Sequence, residues 1–115
     1  MQPKQGDIVL IPIPFTDLSA RKQRPVVVIS NDDYNHTAPD IVVVAMTSNP
    51  TLGPYSFPIT SADLAHGKLN RPGTIRVDKI YTLDQQLTRR IFGRVHQTTL
   101  ERITALIQTL TTPTT

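Results

Sequence analysis

Three short apolar runs in the first half of the chain predict β-strands. They are residues 7–13 (DIVLIPI), 25–30 (PVVVIS) and 40–46 (DIVVVAM), each rich in β-branched residues and bounded by turn formers. The second and third runs are continuously apolar, whereas a strand with one solvated face would alternate. This pattern favours strands buried on both faces, inside a closed barrel or under a second subunit.

A weaker pattern follows in the middle of the chain. Residues 55–60 (YSFPIT) alternate, and Pro58 indicates an edge strand because proline cannot donate a ladder hydrogen bond. Residues 61–67 (SADLAHG) are typical of a short helical turn, with Ser61 as its cap and Gly67 as its stop.

Two further segments predict strands. Residues 73–84 (GTIRVDKIYTLD) alternate with a period of two, although Ile80 interrupts the pattern. Residues 90–95 (RIFGRV) form one more short apolar run. The chain therefore contains about six predicted strands, which is enough for a small barrel.

The hydrophobic period changes to that of a helix at residues 98–110 (TTLERITALIQTL). Its large apolar residues share one helical face: Leu100, Ile103, Leu106, Ile107 and Leu110. Thr98 and Glu101 have the spacing of a capping box ahead of this face. The predicted fold is mainly β, a small SH3-like barrel closed by a C-terminal amphipathic helix, in one domain spanning residues 1–115.

Composition narrows the class of protein. A chain of 115 residues fits one domain with a real core, and the absence of cysteine excludes disulfides and thiolate metal sites. The opening MQPKQGD lacks the apolar region of a signal peptide, and no apolar run approaches the length of a membrane span. We therefore expect a cytoplasmic protein. The net charge of +3 weakly favours a polyanionic partner.

An arginine directly precedes the second apolar run. Pro25 restricts the preceding residue, Arg24, to extended geometry, so the backbone delivers this side chain at one end of a strand. Barrels and sheets usually carry their sites at strand ends. The alternative is that Arg24 is simply a solvated residue at a strand end.

Other polar side chains complete a candidate constellation. Thr47 and Ser48 end the third run, and Arg76 and Asp78 are two residues apart, hence on one face of a strand. Guanidinium groups, hydroxyls and one carboxylate suit the handling of a phosphate. Structural ion pairing is the alternative explanation for the charged residues.

Residues 32–36 (DDYNH) offer two carboxylates and a histidine. Adjacent side chains diverge on a strand, and no second cluster completes a coordination shell, so we predict a solvated loop there. We expect neither a metal nor any other cofactor.

Four motifs, in order and with matching spacing, resemble the PemK/MazF/Kid family of toxin endoribonucleases. They are GDIV at residues 6–9, the R-P-V opening at Arg24, the Thr47-Ser48 pair, and the R-x-D of Arg76 and Asp78 followed by TLD. The resemblance covers about residues 5–110.

This resemblance implies an SH3-like barrel with a C-terminal helix, assembled as a two-fold homodimer. It implies cleavage of single-stranded RNA at short sequence words without a metal, and neutralisation by a cognate antitoxin. It also implies that operator DNA is bound only through the complex with the antitoxin.

The resemblance assigns site residues as well. Arg24 and Thr47 correspond to the family's catalytic pair, and Arg76 and Asp78 to catalytic residues of the Kid branch. Neighbouring polar and basic residues are candidates for RNA binding: Lys22, Gln23, Asn31, Ser48 and Asn49.

The chain departs from the Kid branch in one loop. That branch places a histidine in the loop before R-P, whereas residues 16–23 (TDLSARKQ) contain none. Lys22 or Arg21 can replace a phosphate contact of that histidine, but they do not supply its acid–base role.

Two other functions remain open at this stage. A CcdB-like toxin has the same barrel and poisons DNA gyrase by binding, but those proteins depend on a C-terminal tryptophan, and this chain has no tryptophan and ends TTPTT. A catalytically degenerate nucleic-acid-binding barrel is the second alternative. The joint presence of the four catalytic candidates argues against it.

Overall fold

The computed structural model describes residues 2–12 and 23–115, which form a curled antiparallel sheet and two α-helices. The strands are β1 (Asp7–Pro12), β2 (Gln23–Val28), β3 (Asp40–Thr47), β4 (Ser56–Ile59), β5 (Leu64–Gly67), β6 (Gly73–Asp84) and β7 (Arg90–Val95). The helices are α1 (Asp32–Thr37) and α2 (Gln97–Thr111). The strand order in the sheet is β4-β6-β3-β2-β1-β7-β5, and every neighbouring pair is antiparallel.

One hydrophobic core draws on every strand of this sheet. Its buried residues come from β1 to β7 and from α2, and they include Ile8, Val27, Val44, Phe57, Leu64, Ile75, Val95 and Ile103. Because the two edge strands contribute to the same cluster, the sheet must curl around it. The predicted mainly β barrel with a C-terminal helix is confirmed, and residues 2–12 and 23–115 form seven strands where about six were predicted.

The opposite face of the central strands carries a second core. Its fully buried members are Val9, Ile11, Val26, Val28, Ile41 and Val43. The continuous apolar runs of β2 and β3 are therefore buried on both faces, as predicted. This burial is reached within a single chain, so it no longer argues for a second subunit.

The prediction for residues 61–67 was wrong in two respects. The helical turn covers only Ser61–Asp63, and its cap is Thr60, whose hydroxyl accepts the Ala62 N–H at 3.2 Å. Residues 64–67 form β5, which pairs with β7 at one edge of the sheet. Gly67 has a φ of +83°, and a Cβ there would lie 2.4 Å from the Phe92 carbonyl oxygen, so glycine is required at this turn.

The interruption at Ile80 has a structural cause. Ile80 pairs with Val44, but the next residue of β3, Ala45, pairs with Arg76, so a bulge in β6 absorbs the residues between. The bulge reverses which face each later side chain occupies. Ile75 before it belongs to the first core, and Tyr81 after it packs on the second.

Helix α2 differs from the prediction at its N-terminus. Helix α2 starts at Gln97 after His96, which makes no side-chain capping bond, so Thr98 lies inside the first turn and the predicted capping box is wrong. The predicted apolar face is nevertheless the buried one: Leu100, Ile103, Leu106 and Ile107 pack on the first core. No helix in the described ranges is long and apolar enough to cross a membrane.

Residues 32–36, predicted as a loop, lie in helix α1. Asn31 starts the helix, because its side-chain oxygen accepts the Tyr34 N–H at 2.9 Å. Asp32 and Asp33 then lie in the first turn, where the positive end of the helix dipole stabilises acidic side chains.

Candidate active site

A cavity of about 380 Å³ opens at the start of β2 and the end of β3, and the β5–β6 connection also lines it. Part of its wall is apolar and includes Met46, Leu69 and Phe92. Its polar lining residues are Gln23, Arg24, Thr47, Ser48, Asn70 and Arg71. Among the described residues the lining contains two arginines and no acidic side chain, so the cavity suits an anion.

Sheet register brings Arg24 and Thr47 together. Val26 lies opposite Ala45 in the antiparallel β2–β3 pair, and continuing this register by two residues places Arg24 opposite Thr47. Opposed residues point to the same face, so both side chains reach the cavity. Arg24 is partly buried, and its Nε is inaccessible to solvent.

The Thr47 hydroxyl also organises the turn that follows β3. Its oxygen accepts the Asn49 N–H at 3.1 Å, and the Asn49 side-chain oxygen accepts the Thr51 N–H at 3.0 Å. A hydroxyl that accepts one hydrogen bond still has its proton to donate. Thr47 can therefore donate to a bound phosphate oxygen while its own position is fixed.

Arg76 and Asp78 form a two-pronged ion pair on β6. The Arg76 Nε and Nη2 atoms donate to the two carboxylate oxygens of Asp78 at 3.0 and 2.8 Å. Both side chains are about one-third exposed, at 36% and 35%. They do not line the cavity, although Arg76 stands opposite Ala45, two residues from Thr47 on the same face of the sheet.

The ion pair sets the protonation states of its members. The hydrogen bonds from Arg76 lower the pKa of Asp78 below its ordinary value, and those to Asp78 raise the pKa of Arg76. At neutral pH the carboxylate is therefore ionised and the guanidinium charged. As they stand, these residues are a weak base and a very weak acid.

This shift predicts the pH dependence of any reaction that uses Asp78. A carboxyl whose pKa is lowered by folding stabilises the native state at every pH above its unfolded pKa, and the contribution is lost as the pH falls through the folded value. We expect the activity ratio of wild type to Asp78→Asn to stay constant between about pH 5 and 8.

Parallel pH–rate profiles of the two proteins check this expectation. The ratio should fall only in acid, below the ordinary carboxyl pKa of about 3.9. A change in the wild-type rate near neutral pH that is absent from Asp78→Asn would contradict the expectation. It would mean that the site raises the pKa of Asp78.

The structure separates some predicted RNA-binding residues from the cavity. Gln23 and Ser48 line it, and Asn49 is in the turn beside it. Asn31 lies beyond the opposite end of β2, where its side chain caps α1. Lys22 and Arg21 lie outside the described residues.

Among the polar residues of the lining, the sequence prediction missed two, Asn70 and Arg71. The available signal was Arg71-Pro72, a second arginine–proline pair like Arg24-Pro25. Both pairs stand immediately before or within the start of a strand, and both arginines reach the same cavity.

The described residues were also compared with the requirements of a metal site. Within residues 2–12 and 23–115, no group of three or more His, Cys, Asp or Glu side chains is arranged to hold a metal ion.

Comparison with known proteins identifies the family. The model of the PemK-like, MazF-like toxins of type II toxin–antitoxin systems matches residues 4–111. The chain belongs to this family of toxins, as its sequence motifs imply. A search of curated protein sequences found no match.

Solved structures share the fold over nine-tenths or more of each chain. A mycobacterial endoribonuclease, solved in complex with its cognate antitoxin, aligns with a TM-score of 0.78 and 21% identity, covering 96% of this chain and 97% of that one. The MazE–MazF complex of Deinococcus radiodurans gives 0.73 and 21%, covering 96% and 95%. The Mycobacterium tuberculosis toxin MazF-mt6 gives 0.72 and 17%, covering 90% and 93%.

Proposed function

We propose that this toxin is a metal-independent endoribonuclease that cleaves single-stranded RNA at short sequence words. The observation that carries the proposal is the cavity in which Arg24, Thr47 and Ser48 meet with no acidic side chain from the described residues. Membership of the toxin family supports it, as does the description of a similar structure as an endoribonuclease. The family match favours this function over gyrase binding.

The proposed reaction uses the RNA's own 2′-hydroxyl as the nucleophile. Its oxygen attacks the adjacent phosphorus, the bond from phosphorus to the 5′-oxygen breaks, and that oxygen takes up a proton. The products are a 2′,3′-cyclic phosphate and a 5′-hydroxyl. The proton lost by the 2′-hydroxyl is balanced by the one gained by the leaving group.

Arg24 stabilises the extra negative charge that develops on the phosphorane. Its guanidinium presents planar donors that match the phosphate oxygens, and its partly buried position strengthens the interaction. The hydroxyls of Thr47 and Ser48 donate neutral hydrogen bonds beside it. These groups are held by strand ends and a hydrogen-bonded turn, so little reorganisation accompanies the reaction.

Proton transfer is assigned to Asp78 as base and Arg76 as acid. Their mutual ion pair moves both pKa values away from neutrality, so neither group transfers protons efficiently while they remain paired. Electrostatic stabilisation and positioning at Arg24 therefore supply most of the rate in this proposal.

The proposed partners are the RNA substrate and a cognate antitoxin, with operator DNA bound only through the antitoxin complex. A homodimer is also expected, and this expectation now depends on the family resemblance alone. The two-sided burial of β2 and β3 no longer supports it, because that burial is reached within one chain. Light scattering at micromolar concentration should report twice the mass of one chain. A monomeric mass would contradict the expected homodimer.

The test of the proposed function is incubation of the purified protein with a long single-stranded RNA in excess EDTA. Discrete fragments are expected, and mapping their ends should reveal a recurring sequence word. The Arg24→Ala variant, purified in parallel, controls for a contaminating nuclease. Intact RNA, or cleavage restored only by added Mg²⁺, would contradict the proposal.

A further inference from the structure

The connection between β5 and β6 carries a cation that the proposed reaction does not use. Arg71 and Asn70 of this connection line the cavity, on residues distant in sequence from Arg24 and Thr47. Arg71 is exposed, and the ion pairs found among the described residues are Arg76–Asp78 and Arg94–Asp7. Its guanidinium is therefore not neutralised by any described carboxylate.

Both ends of this connection are held in place. At the first end, the Leu69 N–H donates to the Ser61 hydroxyl oxygen at 2.8 Å, and that hydroxyl donates to the Leu69 carbonyl at 3.2 Å. At the second end, Pro72 fixes its own φ and restricts Arg71 to extended geometry. Arg71 thus projects from a short segment with little freedom.

The second end is also fitted closely to the catalytic strand. A Cβ on Gly73 would lie 3.3 Å from the Thr47 carbonyl oxygen, so the backbone of the connection runs directly beside the end of β3. Any movement of this backbone relative to Thr47 is limited. The fold therefore holds the backbone that leads from Arg71 close to the end of β3.

We propose that Arg71 is a substrate-binding residue that holds an RNA phosphate next to the scissile one, and that Ser61 is its positioning residue. The proposal rests on the proposed function for the identity of the substrate. A volume of about 380 Å³ lies at the lower end of the usual range for a ligand pocket, about 300–1,000 Å³. A cavity of this size suits about one nucleotide unit, and each such unit is flanked by two phosphates, for which the lining offers two arginines, Arg24 and Arg71.

The roles of the two arginines then differ. Arg24 acts on the phosphate that reacts, so its interaction strengthens in the transition state and appears in kcat. Arg71 binds a phosphate that does not react, so it contributes equally to the ground and transition states and appears in KM. Contacts to phosphate are independent of base sequence.

Binding can be measured without cleavage, using a mixed-sequence RNA oligonucleotide that is 2′-O-methylated throughout. For Arg71→Ala we expect the Kd to rise about tenfold or more, as for loss of a charged hydrogen bond. The slope of log K against log salt should become shallower by about 0.7, the value for one phosphate contact on a single strand. With cleavable RNA, kcat should stay within about threefold of wild type.

The matched control is Lys4→Ala, which removes one positive charge at the opposite end of the sheet. Lys4 is exposed, and its neighbour Gly6 bonds to Val28 at the far end of β2 from Gln23. This variant should bind with the wild-type Kd and salt slope. Circular dichroism and thermal unfolding should show that both variants fold as wild type.

The positioning role of Ser61 is tested by a double-mutant cycle. Ser61→Ala should raise the Kd by a smaller factor than Arg71→Ala, and Ser61→Thr should restore it, because threonine retains the hydroxyl. Adding Ser61→Ala to Arg71→Ala should cause no further loss of affinity. Additive losses would overturn the positioning role.

An unchanged Kd and salt slope in Arg71→Ala, or a loss confined to kcat, would overturn the assignment of Arg71. If the wild-type protein binds the oligonucleotide through Arg71 but cleaves no RNA, the proposed nuclease activity fails while the phosphate contact stands. If wild type cleaves RNA and Arg71→Ala binds normally, only the inference about Arg71 fails.

Discussion

Replacing Arg24 with alanine is expected to lower the rate of RNA cleavage about a hundredfold or more while the protein remains folded. The side chain lies at the wall of the cavity, opposite Thr47, and is partly shielded from solvent. A charge held there needs little reorganisation when the phosphorane forms. Single-turnover cleavage of a short RNA at saturating protein measures the effect on the chemical step.

Further substitutions separate the roles of charge and geometry. Arg24→Lys keeps the charge but loses the planar two-pronged contact, so its rate should remain well below wild type. Thr47→Ala should be milder than Arg24→Ala, because a neutral hydrogen bond stabilises less than a charged one. Thr47→Ser retains the hydroxyl that accepts the Asn49 N–H and should retain most of the activity.

Thermal unfolding of each variant shows whether the fold is intact. Lys4→Ala, which removes a charge far from the cavity, should cleave at the wild-type rate. If Arg24→Ala also cleaves at the wild-type rate, the cavity is not the active site.

Removing the 2′-hydroxyl at the cleaved position should abolish cleavage at that position. In the proposed reaction the nucleophile is part of the substrate, so its removal leaves the phosphate without an attacking group. A single deoxynucleotide leaves the phosphates unchanged, so binding should be nearly unaffected. DNA of the same sequence should act as a competitive inhibitor and never as a substrate.

Denaturing gels of end-labelled RNA, with and without the single deoxynucleotide, measure this effect. The matched control places the deoxynucleotide two positions from the cut, where cleavage should continue. Cleavage at the deoxynucleotide itself would mean that water or a side chain is the nucleophile.

The strands could be predicted where alternation or a continuous apolar run marks them in the local sequence. The bounds of β6 and β7 match the sequence prediction, since β6 alternates and β7 is a short apolar run. Strand β5 was missed since Leu64–Gly67 has no β-branched residue and only Leu64 is buried. Its identity depends on pairing with β7, a contact that the local sequence does not reveal.

Helix starts were harder to predict because several hydroxyl and amide residues compete to cap them. Thr60 rather than Ser61 caps the turn before β5, and Ser61 instead holds Leu69. Asn31 was assigned to RNA from its neighbourhood in sequence, yet its side chain caps α1. Each assignment depends on the position of one backbone N–H, which only the folded chain determines.

Site residues that lie in strands could be predicted from the sequence, whereas those in connections could not. Arg24 and Thr47 end facing strands, so a correct strand pairing places them together. Arg76 and Asp78 share a face, but their mutual ion pair and their place outside the cavity required the structure. Arg71 lies in a connection, and no hydrophobic periodicity predicts the path of a connection. The available sign was Pro72, which follows Arg71 as Pro25 follows Arg24.

The chemistry of the cleaved ends tests the central claim most directly. An RNA oligonucleotide cleaved by the purified protein in excess EDTA is analysed by mass spectrometry. The account predicts a 5′-hydroxyl on one product and a 2′,3′-cyclic phosphate on the other, one water lighter than a linear phosphate. A 5′-phosphate with a 3′-hydroxyl would contradict it, because those ends require attack by water and departure of the 3′-oxygen.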